Sequence, residues 1–164
     1  MRQDLTYTTS ATAVAGGVTQ VRSHDGRLEL AISTPAELGG PESNATNAEQ
    51  LLAAGYAACF LSALQYAAVR RGSALPTDSQ VRATIELTQP DRERFAVSIR
   101  IEASLPAVEA GLASHLIEEA KVAWPYSEPV IALGVLDEGG LGAQGESETV
   151  KVQREASSAR GYGG

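Results

Sequence analysis

From Leu51 to Val69 the chain runs "LLAAGYAACFLSALQYAAV" with no charged residue. Asn47 precedes the run as a good N-cap, with Gln50 three residues on as in a capping box. "RRG" at Arg70 to Gly72 supplies terminal cations and a stopping glycine. The pattern predicts a helix from Asn47 to Val69 that is apolar on every face. Such a helix is buried. Its length approaches that of a membrane span, about 20 residues. Gly55, Tyr56, Ser62 and Gln65 interrupt it, however, and much of the rest is alanine. A buried helix is the better reading, and no membrane partner is expected. In a chain of 164 residues it must run through the centre or be covered by a second subunit.

The flanking segments supply the sheets. Leu5 to Ala15, Val18 to Arg22 and Leu28 to Ile32 alternate as strands do, with "HDGR" (His24 to Arg27) as a turn. "TPAELGGPESNATN" (Thr34 to Asn47) reads as a loop into the helix. Gln80 to Leu87 and Phe95 to Ala103 form a hairpin around "TQPDRER" (Thr88 to Arg94). A second helix is expected from Ala107 to Val122, with Val108, Leu112, Leu116 and Ala120 on one stripe. Pro125 ends it. Val130 to Leu136 and Glu148 to Arg154 are candidate last strands around a Gly-rich loop, Asp137 to Glu146. The order predicts an α+β fold. One domain is expected over 1–155, followed by a flexible tail at 156–164.

Net charge is -7, which argues against nucleic acid or an anionic surface as partner. "MRQDLTYTTS" has no apolar signal core, and Cys59, the single cysteine, allows no internal disulfide. Both point to a cytoplasmic protein with a reduced thiol. Two histidines, His24 and His115, and one cysteine show no ligand spacing, so no metal is expected. Phosphate-loop and Ser-His-Asp signatures are absent, and no cofactor is implied.

"STPAELGG" (Ser33 to Gly40), "TNAEQLLAAGYAACFLSAL" (Thr46 to Leu64) and "PYS" (Pro125 to Ser127) together resemble the OsmC/Ohr family. The nearer branch is the organic hydroperoxide resistance (Ohr) proteins. The resemblance implies an intertwined homodimer whose sheets wrap a long central helix, with active sites near the interface. It also implies a thiol peroxidase acting on a hydrophobic small-molecule substrate. Cys59 matches the peroxidatic cysteine. Glu49 matches the glutamate that holds the family's arginine.

Two departures stand out. The family's resolving cysteine precedes "PYS", where this chain has Trp124. Its arginine follows a Gly-Gly pair on an early strand, where this chain has Val18, the nearest arginine being Arg22. Arg22 replaces it only if the strand register shifts. Tyr56, one turn before Cys59, is a candidate donor or a packing residue. Trp124 either fills the space of the lost disulfide or walls a pocket. Cys59 itself can be a plain core residue or a reactive thiol. Glu49 can be merely a carboxylate at a helix N-terminus. Two functions follow. One is a one-cysteine peroxidase resolved by an external thiol. The other is a repurposed paralogue that binds or transforms a hydrophobic small molecule without peroxidase activity.

Overall fold

The computed structural model describes residues 6–16, 18–89, 95–124, 126, 131–133 and 148–150. These fall in two compact units, Met1–Trp124 and Pro125–Gly164. The second contains a short antiparallel pair, Ile131–Leu133 with Glu148–Val150. The expected single domain over 1–155 extends past the first unit. The Gly-rich loop at 137–146 and the tail at 156–164 lie outside the described residues, as does most of the hairpin loop at 90–94.

The first unit opens with a three-stranded antiparallel sheet of β1 (Ala11–Val14), β2 (Thr19–Ser23) and β3 (Glu29–Ile32). The turn between β2 and β3 is closed by Ser23, whose hydroxyl donates to Asp25 at 2.6 Å and accepts from the Leu28 amide at 3.0 Å. β1 is shorter than the alternation from Leu5 predicts, and its residues are exposed on both faces. Its pairing is with β2 alone among the described strands. Ser33 donates its amide to the Thr46 carbonyl at 2.9 Å, and this bridge ties the sheet to the start of the long helix. The intervening loop folds back at Gly40. A Cβ there would sit 1.9 Å from the Thr34 carbonyl oxygen, so only glycine fits.

Helix α1 (Ala48–Arg70) begins as predicted. Asn47 accepts from the Gln50 amide at 2.8 Å, and the Gln50 side chain accepts from the Asn47 amide at 3.3 Å. It ends where Gly72 turns to φ +71, letting the Ser73 amide reach the Ala68 carbonyl at 3.1 Å. The hairpin β4 (Gln80–Thr88) and β5 (Ala96–Ser104) pairs in register, with Ala83 opposite Ile101 and Ile85 opposite Ile99. Val81, Ala83, Ile85, Ile101 and Ala103 are half-buried, while Arg82, Glu86 and Glu102 face water.

Helix α2 (Ala110–Ala123) starts three residues later than the apolar stripe suggested. Ala107 takes a left-handed φ of +60 after Pro106, which no helix tolerates in its first turn. Glu109 then caps the helix, accepting from the amides of Gly111 and Leu112 at 2.8 and 3.0 Å. Those two bonds hold its carboxyl below the ordinary value. Arg71, at the end of α1, binds Glu119 of α2 through both Nε and Nη2.

The core lies between α1, α2 and the hairpin. Leu64, Ala68 and Ala120 are fully buried, Leu116 is 1% exposed, and Phe60, Ala63 and Ala67 close the cluster. The opposite side of α1 is open: Leu52, Tyr66 and Val69 are 42%, 56% and 66% exposed. Among the described residues α1 is long and apolar enough to cross a membrane, a test that the core helix of a soluble protein also passes.

Two substitutions check this account. Gly40→Ala should lose at least about 2 kcal/mol, because a methyl cannot be fitted against backbone. Phe60→Ala should lose about 3 to 5 kcal/mol through a cavity in the core. Urea unfolding of each variant measures both. A near-neutral result for either contradicts the packing described.

Candidate functional site

The site is built on the middle of α1. Cys59 is half-buried and shares the side of α1 that carries Leu52 and Tyr66, seven residues before and after it. Small residues flank it, with Gly55 and Ala63 one turn to either side and Ala58 beside it. Tyr56 lies three residues before Cys59 and Phe60 one after it, so the two rings stack along one side of the helix at i and i+4.

Trp124 arrives from the end of α2. It is the first residue past the helix and takes an extended backbone with φ -79 and ψ 114. Its ring meets Tyr56 edge-on with centroids 5.5 Å apart and Phe60 edge-on at 5.4 Å. Edge-to-face contacts at this range are favourable beyond the area they bury. Two of the expected pocket residues, Tyr56 and Trp124, are therefore brought together on the turn of α1 that carries Cys59. Phe60 completes the cluster and was not singled out from the sequence. Its signal was available, since it follows Cys59 and lies four residues after Tyr56.

The other expected residues are spread more widely. Glu49 is half-buried in the first turn of α1. It precedes Cys59 by ten residues, about 15 Å along a helix. It precedes Tyr56 by seven, two turns, and so shares the side of α1 on which Trp124 rests. Val18 is 45% exposed just before β2. Arg22 lies within β2 opposite Glu29 of β3, with Nε 3.9 Å from the Glu29 carboxylate. Both side chains are about two-thirds exposed, at 68% and 67%. The main packing partners of β2 are β1 and β3, while those of α1 are β4 and α2. Among the described residues no group of three or more His, Cys, Asp or Glu could hold a metal. A cavity of about 490 Å³ lies between α1 and the base of the hairpin, lined by Ala53, Ala57, Val81, Ala83 and Ala103 among others. Cys59 and the aromatic cluster do not line it.

In chemical terms the arrangement is one half-buried thiol on the turn of α1 that also carries Tyr56 and Phe60, with Trp124 packed on those two rings from the end of α2. It suits an apolar ligand that carries few polar atoms.

Known proteins share both the sequence and the fold. The family model described as OsmC-like protein matches residues 40–131. The organic hydroperoxide resistance protein of Xanthomonas axonopodis pv. citri is 34% identical over 121 residues, covering 74% of this chain and 84% of that protein. Organic hydroperoxide resistance protein OhrA of Bacillus subtilis is 34% identical over 127 residues, covering 74% and 86%. The crystal structure of an organic hydroperoxide resistance protein from Legionella pneumophila superposes with a TM-score of 0.68 at 36% identity, over 76% of this chain and 89% of that one. That of OhrB of Bacillus subtilis gives 0.63 at 31% identity, over 74% and 88%. With Cys59, α1 and α2 all inside the matched span, the chain belongs to the OsmC-like family, among its organic hydroperoxide resistance proteins.

Proposed function

We propose that the protein reduces organic hydroperoxides through Cys59. The observation that carries this is the position of the single thiol, half-buried on the turn of α1 that also carries Tyr56 and Phe60. The relatives named above, all called organic hydroperoxide resistance proteins, support it. The Cys59 thiolate attacks the outer oxygen of R–O–OH. The O–O bond breaks, sulfur takes the hydroxyl as a sulfenic acid, and the alkoxide takes a proton to leave as an alcohol. No second cysteine exists to close an internal disulfide. An external thiol therefore condenses with the sulfenic acid and releases water. A second external thiol frees Cys59 from the mixed disulfide. Glu49 belongs to the site by its match to the family and by the side of α1 it shares with Tyr56. Val18 and Arg22 enter on the family's pattern alone.

A second reading has specific support. Trp124 and Val18 stand where the family has its resolving cysteine and its arginine, and Arg22 faces Glu29 on its own sheet. A chain so changed suits a repurposed paralogue that binds a hydrophobic molecule without reducing it.

Steady-state turnover of an alkyl hydroperoxide with a monothiol reductant separates the two. The peroxidase reading expects turnover that Cys59→Ser abolishes, with sulfenic acid or a mixed disulfide seen by mass spectrometry. Val18→Arg combined with Trp124→Cys should raise turnover with dithiols, because an added cation favours the thiolate and a second thiol can close a disulfide. Equal inactivity of the parent and Cys59→Ser would instead favour the paralogue.

We also propose that the protein is a soluble cytoplasmic homodimer. The open side of α1, with Leu52, Tyr66 and Val69, needs a cover, and so do Phe95 and Val97 of the hairpin at 57% and 54% exposure. Each large apolar side chain left in water forgoes about 1.5 to 3 kcal/mol. Light scattering at micromolar concentration should give twice the 17.1 kDa chain mass. A monomer would remove this proposal.

A further inference from the structure

The end of α2 grips α1 at two separated points. Arg71 donates from Nε to both carboxylate oxygens of Glu119, at 3.1 and 3.2 Å, and from Nη2 to one of them. Five residues after Glu119, Trp124 rests on Tyr56 and Phe60. Arg71 lies 11 residues beyond Phe60, about 16 Å along the axis of α1. Between the two grips α2 buries only Ala120, while Lys121, Val122 and Ala123 are exposed. A helix end seated on a methyl group can roll, because so small a side chain interlocks with few neighbours. Grips on either side of Ala120 prevent that roll. No other ion pair among the described residues joins α1 to α2. Arg70 is engaged on the Tyr66 ring, 5.9 Å from its centroid, and Glu118 is bound by Lys121. The hydrogen bonds from Arg71 hold the Glu119 carboxyl below its ordinary value, so both partners are charged at neutral pH.

We infer that Arg71 and Glu119 are positioning residues for Trp124: their pair fixes the roll of α2 that seats the indole on Tyr56 and Phe60, and the seat loosens when the pair is broken or screened. The pair thus acts from one end of α1 on the turn that carries Cys59, without touching that turn. This is independent of the reaction assigned to Cys59. The two side chains are 40% and 44% exposed, so dissolved salt reaches them. The seat therefore responds to ionic strength, whereas an apolar contact alone is not weakened by screening.

Trp124 is the only tryptophan in the chain, so its fluorescence reports the seat directly. Acrylamide quenching is measured in the full-length protein and in Glu119→Gln. Loss of the pair should raise the quenching constant about two- to fivefold, the population change that one surface ion pair can bias, with far-UV circular dichroism unchanged. Sodium chloride at about 1 M, where screening acts within about 3 Å, should raise the constant in the parent and leave Glu119→Gln unaffected. Arg71→Glu combined with Glu119→Arg rebuilds the pair in reverse and should return the constant most of the way to the parent value. Lys121→Gln removes an ion pair of the same turn that does not reach α1, and should leave quenching as it was. Quenching in Glu119→Gln equal to that of the parent overturns the inference. So does an equal rise in Lys121→Gln, or a reversed pair no better than its single variants, since either assigns the change to helix stability alone. If circular dichroism shows Glu119→Gln unfolded, the parent's salt response decides, and its absence overturns the inference.

Discussion

Everything in the first unit depends on α1 having more apolar surface than its own chain covers. One side packs on α2 and the β4–β5 hairpin, where Leu64 against Leu116 forms the fully buried centre. The other side carries Leu52, Tyr66 and Val69 into the open. A helix with two such sides cannot turn away from its partners without exposing one of them. Its ends are fixed as firmly as its middle. The Asn47–Gln50 capping box sets where it begins, and Arg71 ties its end to Glu119 of α2. A side chain placed near the midpoint of this helix, as Cys59 is, is therefore held on a rigid support.

That support explains the candidate site. Cys59 has no fixed charge beside it in sequence, and its near neighbours are small or aromatic. The helix supplies direction, placing Tyr56 and Phe60 along one side. α2 supplies the third ring, because it stops at Ala123 and turns the chain so that Trp124 comes down on both. The cluster rests on the α1–α2 packing, and loosening Leu116 or Ala120 would move Trp124 with it. The early sheet stands apart, joined to α1 through the Ser33–Thr46 bridge, with Arg22 engaged by Glu29.

Much of the fold is legible in the residues. The limits of α1 follow from Asn47, Gln50 and Gly72, because caps act over three or four residues of chain. The β4–β5 hairpin follows from its alternation. The start of α2 does not, since the apolar stripe continues through Val108 while Ala107 adopts a left-handed backbone. Periodicity carries no information about that dihedral. β1 is shorter than its alternation predicts for a related reason. Alternation marks what a strand can face, and all four residues of β1 are exposed.

By itself the sequence determined the family, the long apolar helix, the single thiol at Cys59 and the substitutions at Val18 and Trp124. These are matters of residue identity and local spacing. Only the tertiary structure decided that Trp124 lies on Tyr56 and Phe60, that its indole nitrogen is buried without an acceptor among the described residues, and that Arg22 meets Glu29. Tyr56 and Trp124 are 68 residues apart. Their meeting depends on how two helices pack, and packing is set by the shapes of many side chains at once, which no local pattern records.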